Sequence, residues 1–223
     1  AYQKALVYSQ ERVQGSEIGG DTPGAVPIIR HPDVRRMLLF MKSHIEAMRA
    51  LIVYNAAYAP VGELLTREVD DLQRVIDVNV RGPLVFARQL APRMVARRRG
   101  GIVLMSSLAG NQGAPRIATY AASKAFNTVL GESLWHELRP HGVDVVVSCA
   151  GAIRTPGYAT TAGKDAPGTL DAKDVAEATL KALGHGPVVV PGMINRVARF
   201  VLGRVLPRRA AIEIFARSTK ELS

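Results

Sequence analysis

The sequence predicts a doubly wound α/β fold, in which helices cover both faces of one parallel sheet. Short, largely apolar runs at 51–53, 102–105 and 142–147 alternate with longer segments of helical periodicity. Apolar runs of this length are typical of parallel strands that are buried on both faces. With 223 residues, 48% of them apolar, the chain is long enough for one three-layer domain with a complete core. We predict this domain over residues 1–192, irregular at 1–30, with a basic amphipathic helical tail packed on it at 193–223.

The charge and the composition of the chain indicate which classes of ligand or macromolecule it is expected to bind. The chain has 29 Lys and Arg against 19 Asp and Glu, a formal net charge of +10. Such a charge suits a phosphate-bearing ligand, an acidic membrane surface or nucleic acid. Aromatic residues make up only 5% of the chain and no nucleic-acid-binding motif is present. We therefore expect no nucleic-acid partner.

Cysteine usage and hydropathy indicate a cytoplasmic protein. Cys149 is the only cysteine, which excludes an internal disulfide and fits a reducing compartment. We expect it to be a small core residue. No run approaches the roughly 20 apolar residues of a membrane span, and no signal-peptide pattern begins the chain. His136 and His141 form no metal-ligand pattern, so we expect both on the surface and no metal site.

The remaining elements follow from periodicity and from turn residues. Asp33 and Thr66 are the residue types that cap helices, and each precedes a segment with apolar residues at helical spacing. The glycines and proline of 110–115 predict a surface loop after the strand at 102–105. The predicted strands are 4–8, 23–29, 51–53, 102–105, 142–147 and 187–190. The predicted helices are 33–50, 66–80, 81–99, one that contains 120–124, and 172–183.

Tyr120 and Lys124 carry the strongest chemical signal. They are four residues apart, so on a helix they share one face. An ammonium beside a phenol favours the phenolate and is expected to lower the tyrosine pKa. Such a phenol exchanges a proton with a carbonyl or alcohol oxygen. Ser107, where the preceding strand ends, is able to hold the same oxygen and stabilise charge developing there.

These residues resemble a known family. The segment at 106–110 reads SSLAG and that at 120–124 reads YAASK, which is similar to the active-site segment of the short-chain dehydrogenase/reductase family. The resemblance implies a Rossmann-like fold and an enzyme that interconverts a ketone and a secondary alcohol. It implies that Tyr120 is the proton donor or acceptor opposite hydride transfer, that Ser107 is catalytic, and that Lys124 also binds the nicotinamide ribose. Asn79 lies where the family has the asparagine that completes a catalytic tetrad, bends its helix and holds a water beside the lysine.

Two further segments resemble the cofactor-binding elements of the family. The first, 54–57, resembles Asn-Asn-Ala-Gly and keeps Asn55 and Ala56, with Tyr and Ala at its first and last positions. The second keeps Gly151, Ile153 and Thr155 of the element that grips the nicotinamide carboxamide, with Ala in place of the usual proline at 150. Together with Tyr120 and Lys124, these residues are implied to bind NADP(H) or NAD(H). The basic charge leans slightly toward NADP(H).

The N-terminal region departs from the family pattern. The nearest match to the glycine-rich phosphate loop is 15–21, which lacks the threonine and has Asp21 where the third glycine belongs. A carboxylate there has the wrong sign for phosphate, so we expect a flexible surface loop. The stretch before Asn55 also lacks room for one strand–helix unit of the family. Two explanations stay open: part of the cofactor half has been lost, or the natural protein has residues that this sequence lacks.

These departures leave a second function open. A family member that no longer binds cofactor would serve as a binding or scaffold protein. The small, glycine-rich segment 157–168 corresponds to the substrate lid of the family, and with the apolar tail it indicates a lipophilic ketone or alcohol. The tail is expected either to contact a membrane surface or to pack on the domain or a partner subunit. The resemblance implies a homodimer or homotetramer.

Overall fold

The computed structural model of the chain describes residues 2–12, 27, 34–38, 51–155 and 165–220. It divides into two compact units, Ala1–Ala50 and Leu51–Ser223. In the first unit, helix α1 spans Tyr2–Glu11, so the predicted strand at 4–8 is wrong. This segment is rich in residues that form helices well, and the Ser9 hydroxyl donates to the Leu6 carbonyl within the helix at 2.7 Å.

The other N-terminal predictions are only partly covered by the described residues. Residues 34–38 are helical, within the helix predicted at 33–50, and residue 27 forms an isolated bridge inside the strand predicted at 23–29. The remainder of both elements lies outside the described residues, as does the loop at 15–21. The same holds for most of the predicted lid, 156–164.

The second unit contains a four-stranded sheet in which every pair of neighbours is parallel. Its order is β1-β2-β3-β6, and each member matches one of the apolar runs of the sequence. A separate two-stranded sheet pairs β4 with β5. The strands are β1 Leu51–Tyr54, β2 Gly100–Ser107, β3 Val143–Ala150, β4 Ile153–Arg154, β5 Leu170–Asp171 and β6 Val188–Val189.

Helices connect these strands, and two of the helical stretches contain a π-helical segment. The α-helices are α2 Val69–Ile76, α3 Gly82–Ala96, α4 Ala118–Leu138, α5 Ala172–Ala182, α6 Met193–Phe200 and α7 Arg208–Lys220. The π segments are Asp77–Arg81 and Val201–Val205, and short 3-10 turns span Leu64–Thr66, Leu108–Asn111 and Arg139–His141.

The predicted cap of the helix at 66–80 is wrong. The Thr66 hydroxyl donates backward to the Glu63 carbonyl at 2.9 Å and so belongs to the preceding 3-10 turn. Helix α2 begins later, with Glu68 in the N-cap position. A threonine side chain that bonds a carbonyl behind it is not available to the amides ahead of it.

The two faces of the sheet are covered by different helices. Val143, Val145 and Val147 of β3 join a core cluster with Met94 of α3, and Leu134 of α4 packs against it. On the opposite face, the Ser148 hydroxyl lies 2.7 Å from that of Thr179 in α5. Helices therefore cover both faces of a parallel sheet, which confirms the predicted three-layer, doubly wound fold.

Gly131 sets how closely α4 approaches the sheet. An added Cβ at this position would lie 2.1 Å from Cγ2 of Val147. We expect Gly131→Ala to lower the free energy of unfolding by about 1–3 kcal/mol, because overpacking outweighs the helix-propensity gain of about 1 kcal/mol. Urea denaturation measures this change. Gly186→Ala is the control, since nothing lies within 4 Å of its added Cβ; equal effects of the two substitutions would contradict the packing argument.

Candidate active site

The carboxyl end of β2 is attached to the first turns of α4. The Ser106 hydroxyl donates to the Lys124 carbonyl at 2.7 Å and lies 2.8 Å from Oγ1 of Thr128. Gly110, in the turn after β2, approaches the same helix so closely that an added Cβ would lie 2.8 Å from the Lys124 carbonyl carbon. These contacts bring Ser107, the last residue of β2, beside Tyr120.

The Ser107 hydroxyl lies close enough to the Tyr120 hydroxyl to act on its pKa. Ser107 Oγ accepts from the backbone N–H of Ala109 at 3.2 Å, which fixes the hydroxyl. Burial raises the pKa of Tyr120, while the Ser107 hydroxyl acts in the lowering direction. The expected lowering of the Tyr120 pKa is therefore wrong for this structure, because desolvation of the phenolate outweighs the favourable contacts.

Lys124 lies one turn along α4 from Tyr120 and is 2% exposed. Its Nζ donates to the Met105 carbonyl of β2 at 2.9 Å and lies 5.5 Å from the centroid of the Tyr120 ring. Burial lowers the pKa of Lys124 to about 8, because an ammonium loses hydration when it is enclosed. Burial of a lysine ammonium with so few contacts costs folding free energy, which indicates that the charge serves a purpose other than stability.

Asn79 is fully buried at the centre of the π segment Asp77–Arg81. Its Nδ2 donates to the Tyr58 carbonyl at 2.8 Å and to Ser123 Oγ at 3.0 Å. Ser123 Oγ in turn donates to the Tyr120 carbonyl at 2.6 Å. This chain of hydrogen bonds links the π segment to the helix that carries Tyr120. π-helical turns of this kind are frequent at functional sites.

Tyr54 makes a structural contact that sequence reasoning missed, since it looked like core filler. Its hydroxyl donates to the Val78 carbonyl at 2.6 Å, and its ring meets Phe86 edge-on, with centroids 5.5 Å apart. Gly82 leaves room for it, because an added Cβ there would lie 1.9 Å from the Tyr54 hydroxyl. Tyr54 thus ties the end of β1 to the π segment that holds Asn79. Gly82, a glycine within a helical pattern, was the signal available in the sequence.

Asn195 is a second residue that sequence reasoning missed. It is 3% exposed on α6, and its Nδ2 donates to the carbonyls of Gly168 and Pro191, each at 3.0 Å. Its Oδ1 would lie 2.7 Å from a Cβ added at Gly151. Asn195 therefore supports the segment after β3 that includes Gly151. The sequence of an amphipathic helix does not show which groups a polar residue will bond, because its partners are set when the helix packs on the rest of the unit.

Three of the predicted cofactor-binding residues line one cavity of about 240 Å³. It opens at the carboxyl ends of parallel strands, which is where α/β sheets bind ligands. Ala56, by contrast, is exposed, and Gly151 is half-buried. The cavity is also close to Lys124, because the Met105 carbonyl binds its ammonium. The lining residues are Val53, Asn55, Val103, Met105, Ile153, Thr155, Ala172, Val175, Ala176, Thr179 and Leu180.

The other candidate residues have ordinary surroundings. Cys149 is fully buried, as expected of a core residue, and burial raises the pKa of its thiol. His136 and His141 are exposed. Within the described residues, His, Cys, Asp and Glu form no cluster of three or more that would hold a metal ion. None of the described helices has the length and hydropathy needed to cross a bilayer.

Comparison with known proteins gives a consistent result. A family model described as short chain dehydrogenase matches residues 27–165, which is more than half of the chain. Oxidoreductase UcpA of Escherichia coli K12 is 32% identical over 152 residues, which cover 68% of this chain and 57% of UcpA. A protein named inactive 2-(S)-hydroxypropyl-CoM dehydrogenase 2, from Xanthobacter autotrophicus, is 30% identical over 158 residues, 69% of each chain.

A solved structure shares the fold. The 3-oxoacyl-[acyl-carrier protein] reductase from Brucella melitensis, crystallised with bound NAD, superimposes with a TM-score of 0.56 at 27% identity. The match covers 69% of this chain and 64% of that one. Among curated relatives, the chain spans about half the length of several that it matches, for example 53% and 57%.

Proposed function

Since the chain belongs to the short-chain dehydrogenase family, we propose that it is an NAD(P)-dependent oxidoreductase that interconverts a ketone and a secondary alcohol on a lipophilic substrate. One observation carries the proposal: Tyr120 lies beside the Ser107 hydroxyl at a strand end and has the buried Lys124 one helical turn away. An acid, an oxygen-binding hydroxyl and a cation within one site are what carbonyl reduction requires.

In this proposal Tyr120 is the general acid. Its raised pKa keeps the phenol protonated at neutral pH, ready to give a proton to a carbonyl oxygen that Ser107 also binds. Tyr120 is therefore in the proton-donating form that ketone reduction uses. The hydride for the carbonyl carbon would come from a nicotinamide cofactor when one is bound. Alcohol oxidation needs Tyr120 deprotonated, so its rate rises with pH.

Lys124 and Asn79 support the proton transfer. The ammonium of Lys124, 5.5 Å from the Tyr120 ring centroid, stabilises the phenolate that forms when the proton leaves. By the family resemblance it also binds the nicotinamide ribose. Asn79 acts by position, since its hydrogen bonds to Tyr58 and Ser123 hold the π segment against α4.

The residues around the 240 Å³ cavity suit the nicotinamide part of NAD(P)(H). Asn55 and Thr155 provide an amide and a hydroxyl at the strand ends, Ile153 an apolar wall, and Gly151 and Ala56 small neighbours. The NAD bound by the Brucella reductase agrees with a nicotinamide cofactor. The net charge of +10 favours NADP(H) over NAD(H).

The test is a titration of the chain with NADPH and, separately, NADH, followed by nicotinamide fluorescence. We expect saturable binding, tighter for NADPH. Thr155→Val should weaken it by about threefold to tenfold, the value of one hydrogen bond, whereas Thr66→Val, remote from the cavity, should not. No binding of either nucleotide at millimolar concentration would overturn the proposal.

That negative result would favour the second candidate function, a binding or scaffold protein. Two observations point to it: one relative is named inactive, and the chain departs from the family at Tyr54, Ala57 and Asp21. Against it stands the cost of burying Lys124 with a pKa lowered to about 8. A scaffold has no physical need for that buried charge.

Three statements about location and assembly remain predictions. They are a cytoplasmic location, a homodimer or homotetramer, and membrane contact through 193–223. The last is supported by four side chains of α6 that are 54–69% exposed, namely Met193, Ile194, Val197 and Phe200.

A further inference from the structure

A second cavity, of about 380 Å³, lies between the turn that follows β2 and the C-terminal helices. Three of its seven lining residues are arginines and none is acidic. Phe200 provides an apolar wall. The lining residues are Asn111, Val190, Arg196, Arg199, Phe200, Gly203 and Arg204.

These arginines lack the acidic partners that other arginines of the unit have. Arg154 and Arg209, for example, form ion pairs at 2.8 and 3.3 Å. Within the described part of the chain, no carboxylate lies within 4.0 Å of Arg196, Arg199 or Arg204. Arg196 is held by its own Nε, which donates to the Val190 carbonyl at 3.0 Å. Three guanidinium groups around one cavity repel each other, and a bound anion relieves that repulsion.

The cavity adjoins the candidate active site. Asn111 belongs to the 3-10 turn that begins directly after Ser107, and its Nδ2 contacts Cys149 Sγ at 4.0 Å. Burial raises the pKa of Cys149, and the charge of Arg199 acts against that rise. The Cys149 thiol in turn acts on the pKa of Tyr120, after burial and the Ser107 hydroxyl. Cys149 thus lies near both Arg199 and the proposed acid.

We propose that the arginine cavity binds an anionic group of the substrate, a carboxylate or a phosphate ester, while the ketone or alcohol carbon reacts at Tyr120. This inference rests on the proposed function and names its substrate class. Planar guanidinium groups bind carboxylate and phosphate oxygens through two parallel hydrogen bonds. Phe200 accommodates the apolar part of a substrate that carries such a group.

Anion binding is tested first without turnover. Thermal unfolding is followed with inorganic phosphate and with sodium chloride of matched ionic strength. We expect phosphate to stabilise the chain, and Arg199→Gln/Arg204→Gln to weaken its apparent affinity by about tenfold or more. Arg217→Gln is the control, because it removes one positive charge from an exposed position of α7 outside the cavity, as Arg204→Gln alone removes one from the cavity. If the double variant does not fold, Arg204→Gln alone is tested in its place, because Arg204 is exposed.

Turnover is then compared between matched substrates. Comparing acetoacetate with ethyl acetoacetate isolates the effect of a carboxylate. Comparing acetoacetyl-coenzyme A with the N-acetylcysteamine thioester of acetoacetate isolates the effect of the phosphate groups. For the anionic substrate of one pair, we expect the double variant to raise KM by about tenfold or more and to leave kcat little changed. For the neutral substrate of the same pair, both constants should change little. The pair that responds identifies the anion.

Other outcomes overturn the proposal. Equal loss on anionic and neutral substrates would assign the arginines a structural role. Weakened NADPH binding in the double variant would assign the cavity to a cofactor phosphate. If none of the four substrates turns over, the cofactor titration alone decides the proposed function. Phosphate stabilisation that is equal in the double variant and in Arg217→Gln would refute the anion site separately.

Discussion

Tyr120→Phe is expected to lower ketone reduction by about a thousandfold or more, within the range for loss of a general acid. The substitution removes the hydroxyl that lies beside Ser107, and phenylalanine has no proton to give. The ring itself packs against a small buried cluster of Ala109, Ala114 and Ala121, and phenylalanine keeps that packing. Stability and NADPH binding should therefore stay close to those of the unchanged chain.

The measurement is steady-state reduction together with NADPH titration and thermal unfolding of the same samples. Tyr8→Phe is the matched control, because Tyr8 is 58% exposed on α1 and is not part of the proposed site. Retention of more than about a tenth of the turnover by Tyr120→Phe would remove Tyr120 as the proton donor.

Lys124→Met is expected to lower turnover by about a hundredfold or more while making the fold more stable at neutral pH. The folded-state pKa of Lys124 is about 8 against a reference of 10.5, so folding disfavours its charged form. Relief from that cost is worth about 3 kcal/mol, less about 1 kcal/mol for the lost hydrogen bond to the Met105 carbonyl. Loss of activity with gain of stability is the combination expected of a residue kept for its charge.

The difference in the free energy of unfolding between Lys124→Met and the unchanged chain should depend on pH. Between pH 8 and 10.5 the unfolded chain holds more protons at Lys124 than the folded chain does, so the free energy of unfolding rises with pH in that window. Below pH 8 both states are charged and the cost is constant. The advantage of Lys124→Met should therefore shrink as pH rises through this window. The comparison is made below pH 10, because the raised pKa of Tyr120 acts in the opposite direction above its ordinary value of 10.0.

Urea denaturation at several pH values measures this difference. Lys173→Met is the control, because the Lys173 side chain is 84% exposed and should show no such trend. A stability gap that does not change with pH would mean that Lys124 is not strained by burial.

Much of the fold was predictable because local patterns and parallel-sheet burial agree. The apolar runs identified β1, β2, β3 and β6, and the helices that connect them were found with shifted ends. The strand predicted at 4–8 was wrong because its short apolar run fits helix and strand alike, and the good helix formers around it favour the helix. The prediction that Thr66 caps a helix was wrong because a threonine hydroxyl can bond either a carbonyl behind it or an amide ahead of it. Only the folded backbone decides which of the two it meets.

By itself the sequence determined the doubly wound α/β class, because apolar spacing along strands and helices is a local property. It also predicted the group Asn79, Ser107, Tyr120 and Lys124, from the spacing of Ser107, Tyr120 and Lys124 and from the family resemblance. Tertiary structure alone decided the sign of the Tyr120 pKa shift, the support given by Tyr54 and Asn195, and the meeting of Arg196, Arg199 and Arg204 at one cavity. Burial, hydrogen-bond partners and unpaired charge depend on residues far apart in the chain, and those distances exist only once the sheet and its helices have packed.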